Sequence, residues 1–137
     1  MKTKLLSFAL LSVFLISCVD DDIKSNDPQL DFYTKALCRY WWIDEFLDGN
    51  STVWVQFNFE PDGTGYELIE TTPPSGIPVR EEYPFFWGWT SPKFNSIGME
   101  YGPGDKSNIK DLLIDGAILT GFLNDQEIKY LGKIKSY

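Results

Sequence analysis

Val53-Trp54-Val55-Gln56-Phe57-Asn58-Phe59-Glu60-Pro61-Asp62-Gly63-Thr64-Gly65-Tyr66 is the stretch that decides the fold. Val53, Val55, Phe57 and Phe59 alternate with Trp54, Gln56 and Asn58, the period of a half-buried strand. Glu60 to Gly63 then supplies turn chemistry: Pro61 suits the second position of a type I turn, and Gly63 is free to take a positive φ. Tyr66 to Thr71 reads as the returning strand. A lone hairpin with one apolar face is not stable in water, so it needs further sheet to cover it.

The rest of the chain supplies that sheet. Thr72-Pro73-Pro74-Ser75-Gly76 ends the second strand. Tyr83, Phe85, Trp87 and Trp89 share one parity of the next, and Pro84 within it predicts an edge or a bulge. Ile97, Met99 and Tyr101 alternate up to Gly102-Pro103-Gly104. Asn108 to Ile114 and Ala117 to Leu123 flank Asp115-Gly116, expected as a two-residue type I′ loop. Asn124-Asp125 turns the chain into Glu127 to Ile134, where Ile128, Tyr130 and Ile134 share a parity. Upstream, Arg39 to Leu47 is the expected first strand. Before it, Leu30 to Leu37 fits a short helix with Asp27 as cap, Pro28 in the first turn, and Leu30, Tyr33 and Leu37 on one face. About eight short strands with turns between neighbours indicate an all-β barrel or sandwich over residues 30–137.

Residues 1–17 read as a signal peptide rather than as part of the fold. Lys2 and Lys4 precede Leu5 to Ile16, an apolar run of twelve residues. Crossing a bilayer takes about 20, so the run has the length of a signal core. Leu15-Ile16-Ser17-Cys18 resembles the lipobox of bacterial lipoproteins. The resemblance implies that the Cys18 thiol receives a diacylglyceryl group, that the signal is cut before it, and that the new amine is acylated. Two or more acyl chains anchor a protein stably where one does not, at roughly 0.8 kcal/mol per buried CH₂.

Residues 18–29 would then be a lipidated acidic tether, with Ser25-Asn26-Asp27-Pro28 of linker composition. Its Asp20-Asp21-Asp22 cluster resembles the acidic export signal of Bacteroidetes surface lipoproteins, which implies placement at the outer membrane, facing the cell surface. By composition alone the cluster is a solvated spacer. Loss of Lys2 and Lys4 leaves ten of the twelve basic side chains against twenty acidic ones, a mature charge of −10. Such a surface repels nucleic acid, and no nucleic-acid partner is expected.

Phe57-Asn58-Phe59-Glu60-Pro61-Asp62-Gly63-Thr64-Gly65 also resembles the "F-x-F-x-x-D-G-T-G" hairpin of small lipocalin-like lipoproteins of Bacteroidetes. The spacings from Trp41 to the hairpin, and from the hairpin to Phe85 to Trp89, fit as well. The likeness covers most of residues 34 to 135 and implies a small antiparallel up-and-down barrel of lipocalin-like type. Two positions depart from the ligand-carrying lipocalins. Arg39-Tyr40 precedes Trp41 where those proteins have Gly-x-Trp, and Lys133 and Lys135 stand where an arginine closes their last strand.

The chemistry is defined as much by exclusion. The chain has no histidine, which removes Ser–His–Asp triads, Cys–His pairs and nearly every zinc, copper or haem site. No metal or other cofactor is expected. Cys38, without a disulfide partner once Cys18 carries lipid, reads as a small buried apolar residue beside Tyr40 and Trp41; a reactive or intermolecular thiol is the alternative. Glu81-Glu82 and Asp44-Glu45 are adjacent, so on strands their side chains point to opposite faces and cannot share a substrate. A glycosidase needs two carboxyl groups about 5–9.5 Å apart, and nothing in the sequence selects such a pair. No catalytic residue is assigned and no enzymatic activity is expected.

Aromatic content is the positive clue, with five Trp, ten Phe and seven Tyr. An eight-stranded barrel has room inside for side chains or one small ligand, and Phe57, Phe59, Phe85 and Trp87 are enough to fill it. Trp54 and Phe86 lie on the opposite parity to those residues and are the candidate binding face for a glycan or another surface protein. The expectation is a membrane-anchored lipoprotein with a non-catalytic binding or structural role. A carrier of a small apolar ligand inside the barrel is the alternative, and a carboxylate-based hydrolase the third.

Overall fold

The computed structural model describes residues 28–135. The expected signal, Cys18, the Asp27 cap and the tether before Pro28 lie outside the described residues. Helix α1 (Pro28–Cys38) leads into β1 (Tyr40–Asp48), β2 (Ser51–Phe59), β3 (Thr64–Thr72), β4 (Val79–Trp89), β5 (Ile97–Gly102), β6 (Asp105–Asp115), β7 (Ile118–Leu123) and β8 (Gln126–Ile134). Each strand pairs antiparallel with the next, and β8 returns to β1, closing the barrel. The fold is all-β with one short helix, as expected; the helix starts two residues earlier than its apolar face does.

The β2–β3 turn forms as its residues dictate. Gly63 donates its N–H to Glu60 O at 3.1 Å and takes φ +91°, while Asp62 Oδ1 accepts from the Thr64 N–H (3.0 Å) and hydroxyl (2.6 Å). That turn sets Phe59 opposite Gly65 and Phe57 opposite Glu67. Gly65 is required there because a Cβ would press against Asn58 O and lie 2.6 Å from the Phe85 ring.

We call the end bearing this turn the lower end. It is a solid plug of Trp42, Phe57, Phe59, Phe85, Trp87, Trp89, Ile97, Met99 and Tyr130, with α1 packed below it. Trp42 donates its indole N–H to Leu37 O (2.9 Å), Trp89 to Thr34 Oγ1 (3.0 Å), and Tyr33 stacks on Phe94. Lys135 completes the closure: its ammonium donates to Phe59 O at 2.9 Å and sits 3.6 Å from Glu60.

Two details differ from the sequence reading, the interior tryptophan of β1 and the β6–β7 loop, while Pro84 falls at an edge as expected. Trp42, not Trp41, is the interior tryptophan at 0% exposure; Trp41 pairs with Lys133 on the half-exposed outer wall. Two adjacent tryptophans leave the parity of β1 undecided until it meets Phe57. The β6–β7 loop is Gly116-Ala117 rather than Asp115-Gly116, because Asp115 pairs with Ile118. The two-residue loop with positive φ at both positions is Asn124-Asp125 (φ 49° and 72°). Pro84 sits in a closed barrel, yet β5 pairs with β4 only from Phe86 to Trp89. Trp87 sends its N–H toward β3, to Gly63 O (2.8 Å). By alternation Pro84 turns its nitrogen to the side β5 does not reach, which is a local edge.

Glu45, Glu70, Arg80 and Glu82 lie on the outer wall and the apolar rings inside. On these strands the outer wall is charged, unlike the apolar band that a transmembrane barrel wears all round. Among the described residues, no helix is long and apolar enough to cross a membrane.

Candidate functional site

Register assigns the inward face rung by rung, since directly opposed residues in an antiparallel pair share a face. The rung at the top of the plug is Trp42, Phe57, Glu67 and Tyr83; the next is Asp44, Val55, Ile69 and Glu81; the third is Phe46, Val53, Thr71 and Val79. The first rung marks where the lumen changes character. Below it the interior is aromatic and sealed; from Glu67 and Tyr83 upward, carboxylates enter the lining among apolar side chains such as Val55, Ile69 and Phe46.

These upper residues keep contact with water despite pointing inward. Tyr83 is 41% exposed and Phe46 45%, while Asp44, Glu67, Ile69 and Tyr101 are half-buried. The upper lumen is therefore an open mouth rather than a second plug. At its floor the Tyr101 hydroxyl donates to Glu67 Oε1 at 2.8 Å. Desolvation raises the Glu67 carboxyl above its ordinary range, and the Tyr101 hydrogen bond offsets part of that rise. Burial, reinforced by the Glu67 charge, pushes the hydroxyls of Tyr101 and Tyr130 well above the usual phenol value; for Tyr130 the Asp44 charge adds to it.

The placement of Asp44 and Glu67 on the inward face of one barrel is the feature that sequence reasoning missed. Neighbours such as Asp44-Glu45 and Glu81-Glu82 do split between faces, with Asp44 and Glu81 inward. Carboxylates from different strands line one lumen instead, Asp44 on β1 and Glu67 on β3. The usable signal was turn length, because the short Pro61-Asp62-Gly63 connection forces Phe57 opposite Glu67 and so turns Glu67 inward.

Trp54 and Phe86 both lie on the outer wall, but the structure does not bring them together. Trp54 is opposite Glu70 of β3 and Phe86 opposite Thr64. Six residues of strand separate those positions, about 20 Å at ~3.3 Å per residue. Trp54 is half-buried, with its indole N–H on Gln56 Oε1 at 3.3 Å, and Phe86 is 69% exposed. Cys38 is buried, and desolvation pushes its thiol up to about 12, which describes an inert thiol rather than a nucleophile.

A groove of about 360 Å³ runs along the lower end between α1 (Leu30, Asp31, Thr34), the turn at Pro61 and Gly63, and the end of β4 at Trp87 to Trp89. Its polar groups are already engaged: Trp87 Nε1 donates to Glu60 O (2.9 Å), Trp89 Nε1 to Thr34, and Asp31 pairs with Lys35 at 3.1 Å. The mouth, with its half-open carboxylates, is the stronger candidate. Among the described residues no group of three or more Cys, Asp and Glu is arranged to hold a metal ion. Comparison with family models, with curated proteins and with solved structures finds no match to this chain.

Proposed function

We propose that the protein is a lipid-anchored, non-catalytic binding protein of the outer membrane, held through Cys18, whose binding site is the upper mouth of the barrel. One observation carries this reading: Asp44, Glu67, Tyr83 and Tyr101 face inward yet remain partly open to water. Their end of the barrel is opposite the one where the chain enters through α1. Aromatic rings stack on sugar faces while carboxylates accept hydrogen bonds from hydroxyl groups, so a glycan is the ligand class this lining suits. An apolar cargo has less to recommend it, because the sealed part of the lumen is already filled by Phe57, Phe59 and Phe85, and the open part sets Asp44, Glu67 and Glu81 among its apolar side chains.

A hydrolytic reading has one supporting observation. Asp44 and Glu67 share the lumen, and the raised Glu67 carboxyl is what a general acid requires. One experiment separates the two. Neutral and amino-sugar oligosaccharides are titrated into wild type, Tyr83→Ala, Glu67→Gln and Trp54→Ala by calorimetry, with new reducing ends assayed in parallel. Binding weakened at least tenfold by Tyr83→Ala or Glu67→Gln, and unchanged by Trp54→Ala, is the expected result. Equal binding by all four proteins, or by none, removes the mouth as the site. Reducing ends released by wild type and not by Glu67→Gln would put the hydrolase first.

A further inference from the structure

The outer wall of β6, β7 and β8 toward the lower end sets three exposed apolar side chains side by side. Ile118 pairs with Leu131 across β7 and β8, and Leu113 lies diagonally beside Ile118 through its pairing with Thr120. Leu113 and Leu131 are about three-fifths exposed, far more than strand leucines packed in a core. Lys110, Lys129 and Lys133 flank them, against Asp111, Asp115 and Glu127, so this wall is close to neutral in a chain of net charge −8. The upper end is acidic. There Asp44, Glu45, Asp48, Glu70, Glu81 and Glu82 far outweigh Arg80.

The position of α1 gives this wall an occupant. Leu30 and Asp31 line the same groove as Pro61 and Gly63, so the chain enters at the lower end, where Phe32 of α1 is also exposed. Cys18 precedes Pro28 by ten residues, a reach of at most about 35 Å at ~3.3–3.6 Å per residue. A lipid on Cys18 therefore keeps the lower end near the bilayer while the acidic upper end is repelled from anionic headgroups. Resting on the anchored reading above, we infer that the β6–β8 wall docks on the membrane surface. Leu113, Ile118 and Leu131 enter the headgroup region, and Lys129 and Lys133 extend to anionic lipid. The mouth, at the far end of the barrel, is thereby left free of the membrane.

The test uses the full-length lipidated protein in vesicles of phosphatidylethanolamine and phosphatidylglycerol carrying a nitroxide-labelled acyl chain. An environment-sensitive fluorophore is placed through Leu131→Cys or Ile118→Cys on the wall, or through Ile77→Cys in the exposed β3–β4 loop; Cys38 is buried and does not compete. Wall labels that are blue-shifted and quenched by nitroxide lipid, beside an Ile77 label that is neither, are the expected result. Equal, water-like emission at all three sites in protein that floats with the vesicles overturns the docking and leaves the anchor standing. A wall label that shifts with protein concentration but is not quenched overturns it in favour of a second copy of the chain. Protein that does not float with the vesicles at all overturns the anchor, and the docking with it.

Discussion

Gly63 and Gly65 are two residues apart and are glycines for different reasons. Gly63 has φ +91°, a region that costs an L-residue about 1–2 kcal/mol. Gly63→Val should lower stability by about that amount in a urea melt. Gly65 is constrained by space, because the Phe85 ring and the Asn58 carbonyl occupy the place of its Cβ. Gly65→Ala should cost more than Gly63→Val, since overpacking a rigid core typically costs about 1–3 kcal/mol; the reverse order would mean that Phe85 yields easily. Glu67 makes a prediction in pH. Its folded-state pKa is raised, so the folded protein holds this proton more tightly than the unfolded chain does. The group's favourable contribution is full below its unfolded value, about 4.3, and is lost as pH rises through the folded value. Chemical denaturation at pH 4 and pH 7 should show wild type losing more stability over that interval than Glu67→Gln. A parallel loss in both proteins would place Glu67 in free solvent.

At the scale of elements, α1 and the end of β8 together close the lower end. Leu37 is fully buried beneath the plug, and its carbonyl takes the Trp42 indole N–H. Leu37→Ala should cost about 2–5 kcal/mol, as large-to-small core changes do, and thermal melting would register it. An unchanged melt would mean that the helix is a loose appendage. Lys135 binds the Phe59 carbonyl at the end of β2, two strands away past β1, at the strand end where the sequence showed a lysine in place of the lipocalin arginine. Strands with one apolar parity were legible beforehand: β2 from Val53, Val55, Phe57 and Phe59, and β4 from Tyr83, Phe85, Trp87 and Trp89. The first strand was not, because Trp41 and Trp42 offer both parities the same residue. Nor was the β6–β7 register, since the irregularity between Lys110 and Leu113 puts Ile109 and Leu112 both in the core at a spacing of three. A spacing of three is invisible to a search for period two.

For the whole molecule, what the sequence hid was the site. Asp44, Glu67, Tyr83, Tyr101 and Tyr130 come from five strands, and Tyr130 joins the others only when β8 closes on β1, whereas Trp54 and Phe86, chosen by parity alone, end up about 20 Å apart along the wall. The closed barrel also has a direction. Its sealed end receives the chain, its open end is acidic, and the proposed lipid on Cys18 would join the sealed end to the membrane. This gives the anchor a sharp test. The described residues offer an apolar wall but no membrane-crossing helix, so lipid is the one element of the proposal able to hold the protein through a high-salt wash, which screens the lysines of the wall. Cys18→Ala should therefore appear in the salt supernatant while wild type stays in the membrane pellet. A Cys18→Ala protein that still pellets would show that something other than the lipid binds it. Replacing Asp20, Asp21 and Asp22 with Ala should leave the pellet unchanged but protect the protein from protease added to intact cells, because the acidic cluster bears on which face it reaches rather than on attachment. Equal digestion of wild type and triple variant would take the address away from those aspartates and leave them as spacer, with Cys18 still the anchor.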